Sequence, residues 1–438
     1  MSGDRDDQGQ DRRRRIAVRG AAYAAVTAAY WAFMLTDGAM RMLVLLHFNN
    51  LGFSPITLAW LFLLYEVAGV ATTLSAGWLA ARFGLAPTLY GGLALQVASL
   101  AALTQLDPGW TLAVSVAFVM VVQGLSGVAK DLAKMSAKSA VKLLAPEGEG
   151  ALFRWVAALT GSKNAVKGVG FGLGAALLAL VGFRPALWIM AIGLGLILLA
   201  VVLFMPRGLP TGRKDARFAE VFSKNRAINR LAAARLFLFG ARDVWFVVGI
   251  PVYFEGVLSD GTPAGMRAAF FAVGGFMALW VVLYGAVQAA APRLLRAARR
   301  PEAELVGMAR RWAGGLALIP AGLAAVAFLA GAPALWLTLV LVVGLLAFGF
   351  VFAVNSSLHS YLILALSRGD RVTMDVGFYY MANAAGRLLG TLLSGLTYEV
   401  GGLPLCLATA AAMAATSWHL AEGIQPAGPP EASGSRPS

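Results

Sequence analysis

Residues 123–174 read QGLSGVAKDLAKMSAKSAVKLLAPEGEGALFRWVAALTGSKNAVKGVGFGLG and place regularly spaced lysines inside a chain that is otherwise mostly apolar. The first group recurs every fourth residue, at Lys130, Lys134, Lys138 and Lys142, and so forms one stripe on a helix. After a short break, Lys163 and Lys167 repeat the spacing on a second helix. Like charges at this spacing repel, so we expect an anion to offset them: Asp131, lipid headgroups or a bound ligand.

Composition indicates a membrane protein. Hydrophobic residues make up 59% of the chain and charged residues only 13%, which leaves too little polar surface for a soluble fold. The formal charge of +14 lies mostly in short loops between apolar segments, as in the cytoplasmic loops of membrane proteins, so we expect no nucleic-acid partner. One cysteine and three separated histidines offer no metal-ligand pattern, and we expect no cofactor.

The pattern of apolar segments predicts an all-α membrane protein with twelve transmembrane helices, each near the roughly 20 residues that span a bilayer. We place them near residues 20–47, 55–81, 86–105, 109–133, 151–181, 185–205, 228–254, 265–291, 313–330, 334–366, 373–398 and 402–421. Residues 1–19 form a basic cytoplasmic tail, and residues 422–438 are rich in Pro, Gly and Ser. We predict that both tails are disordered.

The distribution of Lys and Arg between alternate loops predicts the orientation. The loops on the side of the N-terminus carry most of the basic residues, whereas the opposite loops hold only Arg184 and Arg267. We therefore expect a monomeric, multi-pass protein of the cell inner (cytoplasmic) membrane, in contact with membrane lipid and with both termini in the cytoplasm.

The longest inner loop, a cytoplasmic linker at residues 207–227, divides the chain into an N-terminal six-helix half (20–206) and a C-terminal six-helix half (228–421). A weak repeat relates the halves with a constant offset of 219 residues. It matches Asn164-Ala165, Val181-Gly182 and Pro185 with Asn383-Ala384, Val400-Gly401 and Pro404. Two pseudo-symmetric halves around a site at the bilayer midplane are the plan of secondary transporters.

The loop after the second predicted span carries a family signature. The stretch from Gly77 to Gly84 has both glycines and Arg82 in place, with Ala81 where the pattern has aspartate. In this loop and in its six-plus-six architecture, the chain resembles the major facilitator superfamily. The resemblance implies the fold of that superfamily, but Ala81 cannot supply its usual inner-gate ion pair.

Four longer blocks are similar to the organoarsenical efflux permeases of the ArsJ family, over about Tyr23 to Leu420. They are TDGAMRMLVLLHFNNLGFSP (36–55), AKDLAKMSAKSAVK (129–142), TGSKNAVKGVGF (160–171) and FSKNRAINRLAAARLFLFGARDVWFVV (222–248). This resemblance implies export of 1-arseno-3-phosphoglycerate and resistance to arsenate. It also implies functional coupling to glyceraldehyde-3-phosphate dehydrogenase, which makes that compound when arsenate replaces phosphate.

Ionisable residues inside the predicted spans are candidates for function, because charges are costly in a bilayer. Lys163 lies about 12 Å along its helix from the inner interface, near the middle of a core about 30 Å thick, and Lys167 lies one turn further. The other charged residues placed within spans are Arg41, Arg242, Arg387, Asp37, Glu66 and Asp243. Five cations against three carboxylates leave two positive charges, which favours a small anionic substrate.

We predict substrate contacts for one set of residues and coupling or gating for another. The first set is Lys163, Lys167, Arg242, Arg387, Arg41, Lys130, Lys134 and Asn164; the second is Asp37, Glu66, Asp243 and Asp131. Asp37 and Arg41 share a helix face, so they fit an ion pair as well as a ligand site. Arg242 and Asp243 point about 100° apart and are expected to pair with other spans.

Some polar and small residues have two interpretations. Asn355, Ser356, Ser357 and His359 fit contacts between helices as well as a cavity lining. The glycines Gly168, Gly170, Gly172 and Gly174 fit close helix packing or a gating bend.

Three classes of function remain to be compared. A secondary transporter of an organic oxyanion accounts for the lysines; this includes an organic phosphate/phosphate antiporter or another efflux pump of the superfamily. A transporter of lipophilic cations requires acids at the midplane instead. An enzyme requires a nucleophile–base or metal constellation, which the scarce His and Cys do not provide, so we do not expect catalysis. ATP-driven transport lacks a GxxxxGK[ST] loop.

Overall fold

The computed structural model describes residues 3–144, 151–205, 225–296, 300–367 and 372–424. These ranges consist of helices joined by short turns and contain no strand. The predicted linker (207–227) lies outside them except for its last three residues, as does most of the C-terminal tail. The side chains of Lys138, Lys142 and Arg154 are likewise outside the described set.

Eleven segments of the described chain are long and apolar enough to cross a bilayer, and the last of them contains two helices. The helices are α1 (Gly3–Asn50), α2 (Pro55–Phe83), α3 (Leu85–Leu103), α4 (Leu112–Leu144), α5 (Ala151–Val181), α6 (Phe183–Phe204), α7 (Arg226–Leu258), α8 (Pro263–Leu294), α9 (Glu302–Ala330), α10 (Leu335–Leu366), α11 (372–400) and α12 (403–422). The predicted all-α membrane fold with twelve spans is confirmed.

The turn between α11 and α12 uses two glycines. Gly401 and Gly402 have non-helical backbone, and Gly402 has φ 62°, a conformation that favours glycine. Gly182 lies at the equivalent turn between α5 and α6. The two segments matched by the sequence repeat therefore end at equivalent turns.

Three helices extend more than ten residues beyond one of their predicted ends. Helix α1 begins at Gly3, so the prediction of disorder for residues 1–19 is wrong from that residue on. Helix α4 continues to Leu144 instead of 133, and α9 begins at Glu302 instead of 313. Hydropathy detects where a helix leaves the apolar core, whereas backbone hydrogen bonding continues past that point.

Helix α7 contains one wider turn, Trp245–Gly249, just after the charged pair Arg242-Asp243. Pro251 follows it and lacks a backbone N–H, which disrupts the regular ladder of hydrogen bonds. The Ser394 hydroxyl of α11 accepts hydrogen bonds from Val248 N (3.1 Å) and Gly249 N (3.2 Å). The irregular turn is therefore held in place by the helix beside it.

The two halves pack with matching patterns. Helix α1 packs on α5 and α2 on α4; correspondingly, α7 packs on α11 and α8 on α10. Between the halves, α2 packs on α11 and α5 on α8. Each contact within the N-terminal half thus has an equivalent in the C-terminal half between helices numbered six higher. This is expected for halves related by a pseudo-two-fold axis.

Glycines allow the close contacts in these pairs. A Cβ atom on Gly174 would overlap the Ala39 carbonyl oxygen of α1, and one on Gly386 would overlap the Leu236 carbonyl oxygen of α7. Gly168 faces α8, where a Cβ would lie 3.0 Å from the Ala278 oxygen. Close helix packing is therefore the interpretation that the structure supports for the predicted glycine series.

We expect Gly174→Val to lower the melting temperature of the purified protein by several degrees, because overpacking a close contact costs about 1–3 kcal/mol. Gly193→Val is the matched control, since a Cβ at Gly193 meets nothing within 4 Å. Thermal unfolding in detergent compares the two variants. Equal melting temperatures would contradict the packing role.

Candidate functional site

A cavity of about 260 Å³ lies between the two halves. Helices α1, α4 and α5 form one wall, and α7, α8, α10 and α11 form the other. Its charged lining consists of eight cations and one carboxylate: Arg41, Lys130, Lys134, Lys163, Lys167, Arg235, Arg242, Arg387 and Asp243. This volume lies just below the roughly 300–1,000 Å³ of ligand clefts, so it suits a small metabolite.

The eight residues predicted to contact substrate all line this cavity, although five different helices supply them. Asn164 and its repeat partner Asn383 are both in the lining. Of the residues predicted to couple or gate, Asp243 lies in the wall, whereas Asp37, Glu66 and Asp131 lie buried behind it. The structure thus brings the two sets together.

The charges around the cavity do not cancel. Eight lining cations face four carboxylates within the described residues, which leaves an excess of four positive charges. This is two more than the sequence count, because Lys130, Lys134, Arg235 and Asp131 add to it. Lys130 and Arg235 are buried, and no carboxylate of the described residues lies within ion-pair distance of either, which is costly; an anion in the cavity would stabilise them.

Glu66 is the centre of a network that joins the two halves. Its Oε1 accepts from Arg41 Nη1 of α1 (3.0 Å) and from Arg387 Nη2 of α11 (2.6 Å). Arg387 Nε lies 3.7 Å from Asp243 Oδ2, and Arg242 Nε lies 2.5 Å from Asp243 Oδ1. Five side chains from four helices therefore share three positive and two negative charges.

This network corrects one prediction. Arg242 contacts its neighbour Asp243, although the two were expected to pair with other spans. The angle between adjacent Cβ atoms does not exclude this contact, because an arginine side chain is long enough to reach the carboxylate of its neighbour. Asp243 does reach another span, through Arg387.

Asp37 forms a second buried pair. Lys167 Nζ lies 2.5 Å from Asp37 Oδ2, and the Tyr65 hydroxyl donates to Asp37 Oδ1 at 2.6 Å. The alternative of an Asp37–Arg41 ion pair is not the one adopted, since Arg41 turns to Glu66. No acidic residue lies within a helical turn of Lys167 in the sequence, but the close packing of α1 on α5 supplies one.

Asp131 offsets part of the lysine stripe. Lys134 Nζ lies 2.5 Å from Asp131 Oδ1, and Thr72 of α2 also donates to this carboxylate. Lys130 makes no such ion pair within the described residues, and its ammonium lies 4.0 Å from the centre of the Tyr65 ring. Such cation–π contacts contribute about 0.5–2 kcal/mol and leave the ammonium free to bind an anion.

Arg235 is a cavity residue that the sequence analysis missed. It lies seven residues before Arg242, which places both on one face of α7, and this spacing was the available signal. Arg235 Nη1 donates to the backbone oxygen (2.8 Å) and hydroxyl (3.0 Å) of Ser356. Among the residues of α10 with two interpretations, Ser356 and Ser357 make contacts between helices.

A chain of hydrogen bonds continues from Arg235 across the cavity. Gln288 Nε2 of α8 lies 3.3 Å from the Ser356 hydroxyl, and Gln288 Oε1 accepts from Asn164 Nδ2 of α5 at 2.9 Å. Asn355 and His359 are fully buried and absent from the cavity lining. The neutral polar part of the site thus also connects the two halves.

The halves also meet near the connection between α1 and α2. Ile56 N of α2 donates to Glu399 Oε2 of α11 (2.9 Å). At the same level, a Cβ on Gly395 of α11 would overlap the Pro55 carbonyl oxygen. By the predicted orientation this is the outer side of the membrane.

No group of three or more His, Cys, Asp or Glu in the described ranges could hold a metal ion. The arrangement instead offers an anion site between two helical bundles. The sequence profile of the Major Facilitator Superfamily matches residues 16–369. The chain therefore belongs to this superfamily, whose members are multi-pass membrane transporters and not enzymes. No curated protein matches the chain.

Proposed function

We propose that this protein exports a small organic oxyanion by alternating access of its two halves. The observation that supports this most directly is the excess of four positive charges that the described residues place around a cavity between the halves. A carrier of lipophilic cations would require the opposite sign there. The contact between Ile56 and Glu399 on the predicted outer side fits a state that receives substrate from the cytoplasm.

The substrate that we propose is 1-arseno-3-phosphoglycerate, so that export confers resistance to arsenate. Its identity rests on the resemblance to the organoarsenical efflux permeases, and the cavity agrees with it in two respects. The compound is small, and it carries an oxyanion at each end. Cations line the cavity from both halves, with Arg41 and four lysines on one side and three arginines on the other.

In this proposal, the predicted substrate residues bind the oxyanions and the carboxylates regulate access to them. Arginine holds a tetrahedral oxyanion through paired donors, whereas lysine acts as a point charge. Glu66 and Asp243 neutralise Arg387 when substrate is absent, and Asp37 does the same for Lys167. Substrate would replace these carboxylates as the counter-charge.

We further propose that the protein is a monomer in the cell inner membrane with both termini in the cytoplasm. The arginine-rich loops of the sequence support this orientation. Glyceraldehyde-3-phosphate dehydrogenase is then a functional partner on the same side, since it would make the substrate there.

Expression of the protein is expected to lower cellular arsenic after exposure to arsenate only when glyceraldehyde-3-phosphate dehydrogenase is present. Resistance to arsenite should not change, because arsenite is neutral near pH 7 and gains nothing from a cationic site. Arsenic content is measured in matched strains with and without the dehydrogenase. Equal protection without the enzyme would exclude this substrate and point to direct export of arsenate.

An organic phosphate/phosphate antiporter is the second candidate. The pairing of cavity arginines with carboxylates supports it. When an arginine no longer contacts its carboxylate, an anion such as phosphate must take over as the counter-charge. Exchange of 3-phosphoglycerate for inorganic phosphate in liposomes, without any effect on arsenic in cells, would favour this candidate.

A further inference from the structure

Arg235 differs from the other arginines of the cavity in its counter-charge. Arg41, Arg242 and Arg387 each contact a carboxylate. Arg235 is only 4% exposed, yet in the described part of the chain no carboxylate lies within ion-pair distance of it. Its charge is therefore buried without the compensation that the other three receive.

The donors of Arg235 are only partly used. Nη1 donates to Ser356, whereas the buried Nε has no hydrogen-bond partner within the described residues. An unpartnered buried donor on a charged group is costly, and here it belongs to a residue of the cavity wall. A ligand oxygen in the cavity would remove this cost.

The surroundings hold the guanidinium in place. Its carbon lies 4.1 Å from the centre of the Phe239 ring and 4.9 Å from that of Tyr379, so aromatic rings restrict its orientation. Two neutral lining residues are connected to Arg235 through Ser356: Gln288 Nε2 lies 3.3 Å from the Ser356 hydroxyl, and the Ser360 hydroxyl donates to the Ser356 carbonyl oxygen at 2.9 Å. Arg235 is thus a preorganised cation among neutral hydrogen-bonding groups.

We propose that Arg235 forms a binding subsite for the phosphate group of the substrate, separate from the carboxylate network around Glu66. A terminal phosphate offers three acceptor oxygens, so it can accept hydrogen bonds from the Arg235 guanidinium and from the Gln288 amide, which shares Ser356 with it. Lys130, across the cavity and also without a carboxylate within ion-pair distance among the described residues, faces the other oxyanion. This assignment rests on the proposed function and adds the position of one end of the substrate.

The test measures binding of 3-phosphoglycerate to the purified full-length protein by tryptophan fluorescence, since Trp280 lines the cavity. We expect Arg235→Gln to weaken binding by about 10- to 150-fold, the range for losing a hydrogen bond to a charged group. Arg267→Gln is the matched control, because Arg267 is exposed and absent from the lining, and it should bind as the wild type does. Glycerate lacks the phosphate, and its affinity is measured by competition. Arg235→Gln should weaken the binding of glycerate less than threefold relative to the wild type.

Each outcome separates this proposal from the proposed function. If the wild type does not bind 3-phosphoglycerate, the proposed function fails as well. If the wild type binds and Arg235→Gln binds equally, only the Arg235 subsite is overturned. Equal losses for glycerate and 3-phosphoglycerate overturn the assignment to phosphate. If Arg235→Gln does not fold, Arg235→Lys decides, because it keeps the charge but loses the fork; wild-type affinity in that variant overturns the subsite.

Discussion

Replacing Arg387 by alanine is expected to abolish export while the protein still reaches the membrane. The protein should still fold, because both carboxylates that contact Arg387 keep another arginine: Glu66 keeps Arg41, and Asp243 keeps Arg242. Substrate binding, in contrast, loses a cation of the C-terminal wall. Truncation of a buried charge partner costs about 2–5 kcal/mol, so affinity for 3-phosphoglycerate should fall at least about 30-fold.

Two further variants sharpen this prediction. Lys163→Ala should also abolish export, since it removes a cation from the opposite wall. Arg387→Lys should rescue poorly, because one ammonium cannot replace a guanidinium that contacts both Glu66 and Asp243. Binding is read by fluorescence or thermal shift. Near-normal affinity in both alanine variants would remove these residues from the site and leave Lys130 and Lys134 as the better candidates.

Glu66→Gln is expected to abolish net, gradient-driven transport and to retain exchange of substrate. Glu66 is 1% exposed and contacts Arg41 and Arg387, one from each half. Without its charge, the empty carrier would have to reorient with Arg41 uncompensated and with Arg387 left to Asp243, which it already shares with Arg242; this is costly in a low-dielectric region. The loaded carrier would still be compensated by its anionic substrate.

Two assays on the same liposomes separate these activities: accumulation under an imposed gradient, and exchange of labelled for unlabelled 3-phosphoglycerate. A variant that loses both, together with binding, would assign Glu66 to the structure of the site or to direct contact with substrate. Undiminished accumulation would show that Glu66 has no part in reorientation.

The sequence was sufficient to predict the fold, because apolar segment length and loop charge report directly on the bilayer. It also identified most of the charged residues that meet in the cavity, since most ionisable groups in a span face the interior. Helix ends were less accurate, as α1 and α4 show, because hydropathy does not measure backbone hydrogen bonding.

The pairing of charges could not be predicted from the sequence. Lys167 contacts Asp37, 130 residues away, and Arg387 contacts Glu66, 321 residues away. Which carboxylate an arginine reaches depends on how helices from two halves pack, and local spacing carries no information about that. Arg235 was missed although it lies on the same face of α7 as Arg242, two turns earlier along the helix.

The most direct test of the proposed function is arsenic uptake into everted membrane vesicles that contain this protein. The vesicles receive arsenate, glyceraldehyde-3-phosphate, NAD and glyceraldehyde-3-phosphate dehydrogenase, so that the arseno compound forms on the cytoplasmic face. We predict saturable uptake of arsenic without ATP, inhibited by 3-phosphoglycerate and absent when the dehydrogenase is omitted. Uptake that is equal with and without the dehydrogenase, or no uptake by protein that is folded in the vesicles, would contradict it.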